Sequence, residues 1–274
     1  MYKENCVVLS SQKVAPGHWV LTLRSKKIAN AARPGQFVQI LCADNSYDPL
    51  LPRPFSFLDA QNNSFSILYH VIGKGTELLS VKQKGSMVRV LGPLGNGFSL
   101  KKQTTDRKAP TKFFLVGGGV GIPPLYHLAE TMIKNKITKT NIHVMLGARD
   151  KTLLLCEREF KKLGIAVSVA TDNGSKGHKG FITEVLNRNL QSAVSSLKPQ
   201  VYTCGPTPML KAVSVLSEKF KVPCEVSVEV PMACGFGACL GCAIKVRQQT
   251  TNEHRFAIAC TEGPVFKSSE ILWD

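Results

Sequence analysis

The stretch Lys112-Phe-Phe-Leu-Val-Gly-Gly-Gly-Val-Gly-Ile-Pro-Pro-Leu125 indicates how the middle of the chain folds. Its apolar start predicts a strand over 112–116, and a predicted helix follows the glycines and runs to about Lys134. Glycines between a strand and a helix let the backbone approach a pyrophosphate and point the helix N-terminus at it. The order differs from G-x-G-x-x-G, so a tight turn is the alternative interpretation of this loop.

Strands and helices alternate around this stretch, which predicts a doubly wound parallel α/β sheet over residues 111–222. A second strand end rich in Gly and Pro follows at Tyr202–Met209. Ligands gather at the carboxyl ends of such strands, so both loops are expected to line one crevice. Cys204 taken alone is typical of a buried core thiol. The further predicted strands are 141–146, 166–170 and 200–204, and the further predicted helices are 153–163, 182–187 and 207–220.

Residues 1–100 have a different sequence pattern, in which short apolar and β-branched runs are separated by residues typical of turns. This pattern predicts an antiparallel β domain, either a closed barrel or a sandwich. Residues 101–110 are polar and charged, and they predict a linker. The predicted strands are 14–23, 36–41, 64–71 and 87–91.

A cysteine quartet near the end, with the spacing C-x4-C-x2-C before a distant fourth cysteine, predicts a small third unit over residues 223–274. This is the plant-type ferredoxin arrangement for a 2Fe–2S cluster, which transfers one electron at a time. A structural zinc site is the alternative, although zinc more often takes two C-x2–4-C pairs. The four predicted metal ligands are Cys234, Cys239, Cys242 and Cys260.

Composition limits the class of protein. A chain of 274 residues with 43% hydrophobic content can form two domains and a small appendage. Gly and Pro interrupt the longest apolar stretch, near residues 113–128, so no membrane insertion is expected. The first residues lack the apolar core of a signal peptide, and the nine cysteines suit a reducing compartment. We therefore expect a cytoplasmic protein.

The net charge of +16 raises nucleic acid as a partner. The basic residues are spread along the chain without a basic arm, which a solvated surface, or docking on an acidic partner and anionic dinucleotides, explains equally well. We expect no nucleic-acid partner. A zinc-stabilised nucleic-acid-binding module is kept as an alternative, which steep salt-dependent DNA binding without flavin absorbance would favour.

Two polar motifs stand out in the first domain. In Arg53-Pro54-Phe55-Ser56 a guanidinium could hold a pyrophosphate, and the backbone with a hydroxyl could meet the polar edge of a flavin. The segment Gly73–Thr76 begins a predicted helix with free N–H groups. Each has an ordinary alternative, a turn and a helix cap, just as Leu68–His70 is an ordinary strand when read alone.

Together these motifs resemble the ferredoxin–NADP reductase superfamily, and the cysteine unit narrows the resemblance to the electron-transfer subunits of two-component (class 1B) bacterial dihydroorotate dehydrogenases. The resemblance spans essentially the whole chain. A polar insertion over 247–255 before Cys260 departs from the family pattern. The motifs that carry it are R-P-F-S (53–56), G-x-G-T (73–76), G-P-L-G-N-G-F (92–98), G-G-G-V-G-I-P-P-L (117–125), the segment 171–183, C-G-P-T-P-M-L (204–210), the segment 229–242 and G-P-V-F (263–266).

The resemblance implies a flavin-binding β-barrel, then a nicotinamide-binding α/β domain, then the 2Fe–2S unit on the four cysteines. It places FAD on Arg53, Pro54, Phe55, Ser56, Leu68, Tyr69, His70, Gly75 and Thr76. It places the nicotinamide cofactor on Gly118, Gly119, Val120, Gly121, Cys204, Gly205 and Pro206.

The function implied is electron transfer in pyrimidine biosynthesis. A partner subunit carrying FMN would oxidise dihydroorotate, and its electrons would pass singly through the 2Fe–2S cluster to FAD and then to NAD+. The assembly expected contains two copies of each subunit, and no catalytic acid or base is assigned to this chain. The nearest alternative is a reductase subunit that serves ferredoxin or a sulfur substrate. Arg149 and Asp150 leave the choice between NAD and NADP open.

Overall fold

The computed structural model describes residues 1–43, 47–100, 110–248 and 253–273. Its first part is a closed barrel of six antiparallel strands in the order β1-β2-β5-β4-β3-β6. Inward-facing apolar residues such as Val8, Leu21 and Phe57 fill the barrel. The strands are β1 (Tyr2–Ala15), β2 (His18–Arg24), β3 (Phe37–Leu41), β4 (Arg53–Gln61), β5 (Ser64–His70) and β6 (Met87–Leu94), with helices α1 (Lys26–Ala31) and α2 (Lys74–Ser80).

The barrel departs from the sequence prediction at two strands. The predicted strand 14–23 is wrong as one element, because β1 ends at Ala15 and the chain turns through Gly17, whose φ is +69°. Strand β4 was not predicted, since Arg53 and Pro54 indicated a turn. Pro54 instead pairs with Gln39 of β3. The sequence predicted either a closed barrel or a sandwich, and because the sheet closes on itself the first part of the chain is a barrel.

The second part is a parallel sheet in the order β10-β9-β8-β7-β11-β12. The side chains of β7 alternate between two apolar layers: Phe113 and Leu115 pack with α3, while Phe114 and Val116 pack with α5 and α6. This confirms the doubly wound prediction. The strands are β7 (Thr111–Gly118), β8 (Ile142–Ala148), β9 (Ala166–Thr171), β10 (His178–Lys179), β11 (Lys198–Cys204) and β12 (Cys224–Ser227); the helices are α3 (Ile122–Lys134), α4 (Glu157–Lys162), α5 (Ile182–Ala193) and α6 (Thr207–Lys219).

Helix α4 is shorter than the predicted helix 153–163. Residues 151–153 form a 3₁₀ turn, and Cys156 adopts a left-handed conformation with φ of +58° immediately before α4 begins. This backbone prevents a continuous helix through 153–157.

The cysteine unit contributes a hairpin, β13 (Ala243–Arg247) with β14 (His254–Ile258), and a last strand, β15 (Val265–Lys267). Strand β15 pairs antiparallel with β12, so the large sheet continues beyond residue 222. The predicted division of the chain at that residue stays a prediction. The predicted linker lies outside the described residues apart from Pro110. None of the helices in the described ranges is both long and apolar enough to cross a membrane.

Candidate functional site

A cavity of about 610 Å³ opens between the barrel, the carboxyl ends of the central strands and the start of the cysteine unit. Val120 and Cys204 reach it from the glycine-rich loop and from β11. Residues 227–232, which lead to the cysteine loop, form another wall. The structure thus brings two predicted binding sites together. All predicted FAD residues line this cavity: Arg53, Pro54, Phe55, Ser56, Leu68, Tyr69, His70, Gly75 and Thr76.

The polar wall of the cavity is built around Arg53. Its Nη1 donates to the carbonyl oxygen of Leu51 at 2.7 Å, and a side-chain carbon added at Gly75 would lie 3.4 Å from its Nε. The Thr76 hydroxyl is used inside the cap of α2. It accepts from the N–H groups of Ile72 (3.0 Å) and Gly73 (3.2 Å), and it donates to the Gly73 carbonyl (2.8 Å). Thr76 therefore shapes this wall through the cap.

The aromatic wall comes from β4 and β5. The Phe55 and Tyr69 rings meet edge to face with centroids 5.6 Å apart. Tyr69 is almost fully buried, and burial raises the pKa of its phenol above the usual range. The exposed His70 ring stacks on His18 at 4.4 Å. These contacts hold the cavity-lining aromatic side chains in fixed orientations.

The two predicted nicotinamide loops lie against each other. Cys204 pairs with Gly117 across β11 and β7, which brings both strand ends together. A Cβ at Gly121 would lie 2.4 Å from the backbone nitrogen of Gly205, so only glycine permits this approach. Gly118 lies beside Pro206 and Met209. Gly119 faces open space, and burial raises the pKa of the Cys204 thiol. Of these predicted residues, only Val120 and Cys204 line the cavity between the barrel and the central strand ends.

The four predicted cluster cysteines form two neighbouring pairs of sulfurs, Cys234 with Cys239 and Cys242 with Cys260. Burial raises the pKa of Cys234, but hydrogen bonds from the N–H groups of Phe236 and Cys239 outweigh it and bring the pKa to about 6. Burial and the adjacent Cys242 raise the pKa of Cys260 to about 12.

Backbone amides surround these sulfurs. The N–H of Gly237 donates to Cys260 Sγ at 3.1 Å, and the N–H of Cys260 donates to Cys242 Sγ at 3.4 Å. In the described part of the chain, no three His, Cys, Asp or Glu side chains are placed as ligands of a single metal ion. Two thiol pairs with amide donors are the donor set that a thiolate-held two-iron cluster uses, so the residues fit such a group.

Sequence reasoning missed two residues that connect the cysteine unit to the barrel. Asn96 donates through its side-chain amide to the carbonyl oxygens of Thr261 and Glu262, both at 3.0 Å. Its own N–H donates to the Gly263 carbonyl at 2.6 Å. The G-P-L-G-N-G-F motif was a signal for this position. Gln39, which touches Gly235, had no sequence signal.

Comparison with known proteins identifies the class and then the family. Residues 115–215 match the oxidoreductase NAD-binding domain, and residues 229–272 match the iron–sulfur cluster binding domain of dihydroorotate dehydrogenase B. Barrel, sheet and cysteine unit thus define an NAD-linked iron–sulfur oxidoreductase with a ferredoxin–NADP reductase fold. The chain belongs to the family of dihydroorotate dehydrogenase B (NAD(+)) electron transfer subunits. The predicted family and fold class are confirmed.

Relatives support this over nearly the full length. The subunit from Desulforamulus reducens is 38% identical over 271 residues, covering 97% of each chain. The subunit from Geobacillus kaustophilus is 39% identical, covering 98% of each chain. A solved NADH-dependent reduced ferredoxin–NADP oxidoreductase, studied for flavin-based electron bifurcation, is 29% identical with a TM-score of 0.81, covering 99% of this chain and 91% of that one. The predicted cofactors, FAD, a 2Fe–2S cluster and NAD, agree with these matches.

A more distant structure shows the fold alone. A ferredoxin–NADP+ reductase from Neisseria gonorrhoeae is 16% identical with a TM-score of 0.65, covering 80% of this chain and 91% of that one. The alternative of a zinc-stabilised nucleic-acid-binding module does not fit a chain of this family.

Proposed function

We propose that this chain carries electrons from an FMN-containing, dihydroorotate-oxidising partner subunit to NAD+, through a 2Fe–2S cluster on Cys234, Cys239, Cys242 and Cys260 and an FAD in the cavity between the barrel and the central strand ends. The observation that carries the proposal is the lining of that cavity. The predicted flavin residues, Val120 and Cys204 all border one space, and its remaining wall, residues 227–232, runs directly into the cysteine loop. The proposed sites for three electron carriers therefore lie next to one another around this cavity.

The bound groups supply the redox chemistry, since a flavin exchanges electrons singly or in pairs and the cluster exchanges them singly. The residues of the chain bind, orient and insulate these groups. In the proposal, Arg53 gives its guanidinium to the FAD pyrophosphate, because a guanidinium binds phosphate oxygens with charge-assisted hydrogen bonds. Phe55 and Tyr69 form an apolar wall for the ring system and keep water from it.

The glycine contact between the two predicted nicotinamide loops is proposed to help the chain bind the dinucleotide. Gly121 lets the loop after β7 lie on the backbone of Gly205, so both loops can present N–H groups to one dinucleotide. The carboxylate of Asp150 caps the turn after β8, accepting from the Thr152 N–H at 2.7 Å. Arg149 is exposed at the same strand end. We take NAD+ as the acceptor, as in the names of the relatives.

The partner subunit is proposed to dock over the exposed Cys239. Two large apolar side chains flank this cysteine, Phe236 at 49% and Leu240 at 61% exposure. An apolar surface beside a one-electron site suits a partner that must exclude water from the path between carriers. The proposed assembly has two copies of each subunit. None of the nine cysteines, all of which lie in the described residues, forms a disulfide, and this suits the proposed cytoplasmic location.

Anaerobic purification of the full chain together with a co-expressed catalytic subunit tests the function. We expect stoichiometric FAD, iron and acid-labile sulfide, and dihydroorotate-dependent reduction of NAD+ by the complex. A preparation without flavin or iron would contradict the proposal. Activity with ferredoxin and NADPH but not with dihydroorotate would favour the reductase alternative, which the likeness to the ferredoxin–NADP oxidoreductase keeps relevant.

A further inference from the structure

Gln39 is a buried amide without a partner. It lies at the centre of β3 and is 1% exposed, yet among the described residues neither Oε1 nor Nε2 of its carboxamide has a hydrogen-bond partner. Its neighbour Gln36 is satisfied, since Gln36 donates to the Gly95 carbonyl at 2.7 Å and accepts from the Arg33 N–H at 2.9 Å. Gln39 thus has both amide atoms unpaired, whereas both amide atoms of Gln36, three residues earlier, have partners.

An unpaired buried amide is unfavourable, because it gives up its hydrogen bonds to water on folding and gains none in return. The cross-strand neighbours of Gln39 offer nothing in exchange. They are Pro54 on β4 and Leu91 on β6, and neither side chain has a polar group. An apolar residue would fill this position at lower cost, so the carboxamide points to a partner supplied by a bound group.

The position of the side chain identifies that group. A Cβ built on Gly235 would lie 2.6 Å from Cγ and 2.7 Å from Nε2 of Gln39. Gly235 directly follows Cys234 and has a φ of +81°, so its backbone turns beneath the carboxamide. Gln39 thus brings a barrel side chain onto the cysteine loop at Gly235, the residue after Cys234, whose thiol accepts hydrogen bonds from backbone N–H groups.

We propose that Gln39 donates a hydrogen bond from Nε2 to a sulfur of the iron–sulfur cluster and thereby raises the reduction potential of that cluster. This inference rests on the proposed function, because it requires the cluster on the four cysteines. Reduction adds a negative charge to the cluster, so an N–H donor stabilises the reduced form more than the oxidised form. Gln39 is a positioning and tuning residue and makes no chemical step itself.

The substitution Gln39→Leu removes the donor by replacing the polar carboxamide with an apolar side chain of similar size. We expect the full chain, purified with its FAD and iron, to show a tenfold smaller equilibrium constant for one-electron reduction of the cluster, which equals a midpoint potential about 59 mV more negative. The electron paramagnetic resonance spectrum of the reduced cluster should also change. Gln36→Leu is the matched control, which breaks satisfied hydrogen bonds elsewhere and should leave the potential and spectrum unchanged.

The outcomes separate the two hypotheses. Wild-type protein without iron refutes the proposed function. Wild-type protein with its cluster, together with Gln39→Leu protein of equal iron content and unchanged potential, overturns the role of Gln39 alone. If the Gln39→Leu protein loses its iron, the Gln39→Asn variant is tested in its place. Its shorter side chain keeps the amide but moves the N–H donor away from the cluster. A more negative potential in that variant supports the inference, and an unchanged one overturns it.

Discussion

The side-chain amide of Asn96 donates to the carbonyl oxygen of Thr261 at 3.0 Å, joining the barrel to the segment that follows Cys260. The same amide reaches Glu262. The cysteine unit is therefore fastened to the barrel by residues far apart in sequence. This contact fixes the position of Cys260 relative to the cavity.

Asn96→Ala should loosen this attachment. Asn96 is exposed, so we expect a loss of about 1 kcal/mol in the free energy of unfolding. Amide hydrogen exchange should accelerate in residues 259–264, and iron should be lost faster in air. Asn5→Ala, at an exposed position of β1, is the control. Unchanged hydrogen exchange in residues 259–264 would show that the Asn96 side chain does not hold this segment against the barrel.

Cys239→Ser should abolish the visible spectrum of the cluster, because one of its four proposed ligands is lost. Dihydroorotate-linked NADH formation by the complex should fall by more than about 100-fold, above the range typical of changes outside the ligand shell. Oxidation of NADH should persist when an artificial electron acceptor takes the electrons directly from the bound flavin. Cys156→Ser, at a free thiol outside the cluster set, is the control. Retained NADH formation in Cys239→Ser would refute transfer through the cluster.

Arg53→Ala should weaken FAD binding. The loss of one charge-assisted hydrogen-bonding group should weaken the affinity for FAD roughly 10- to 100-fold. The ratio of flavin to protein after gel filtration measures this. Arg24→Ala, at an exposed end of β2, removes the same charge without touching the cavity. Equal flavin content in the two variants would remove Arg53 from the site.

Gly121→Ala should disturb the nicotinamide loops, because the new Cβ would lie 2.4 Å from the Gly205 nitrogen. We expect the KM for NADH to rise about tenfold, in line with the cost of small misplacements at binding sites. In Gly119→Ala the new Cβ meets no atom within 4 Å, and the φ of +55° makes that variant a control for backbone strain. Similar KM values in both variants would contradict the role of the loop contact.

Glu130 predicts a measurable pH dependence of stability. Burial, reinforced by the nearby Asp59 of β4, raises the pKa of Glu130 from 4.5 to about 7. The folded state then binds more protons than the unfolded state between these values, so stability falls as pH rises from about 4.5 to 7. Because Glu130 is only half-buried, we expect a loss on the order of 1 kcal/mol.

Glu130→Gln mimics the protonated carboxyl, so it should match the wild type near pH 4.5 and exceed its stability at pH 8. Denaturant unfolding at both pH values measures the difference. Parallel stability curves for the two proteins across this range would show that Glu130 keeps an ordinary pKa.

Local patterns predicted much of the sheet. The apolar run before Gly117 and the prolines after Gly121 act within a few residues, and β7 and α3 appear where expected. Strand β4 escaped prediction because Pro54 favours turns locally, while its pairing with β3 and β5 depends on the closed barrel. The cysteine spacing predicted four cluster ligands, which stay a prediction, and the fold brings their sulfurs into two neighbouring pairs. Gln39 could not be found from sequence, since only the folded chain brings it onto Gly235.

The pairing of β15 with β12 has a consequence for the independence of the cysteine unit. Cutting the chain before residue 265 would leave the backbone N–H and C=O groups on one edge of β12 without hydrogen-bond partners. Such an exposed strand edge is prone to self-association. The unit therefore cannot be excised as a freely diffusing ferredoxin without damaging the reductase it leaves behind.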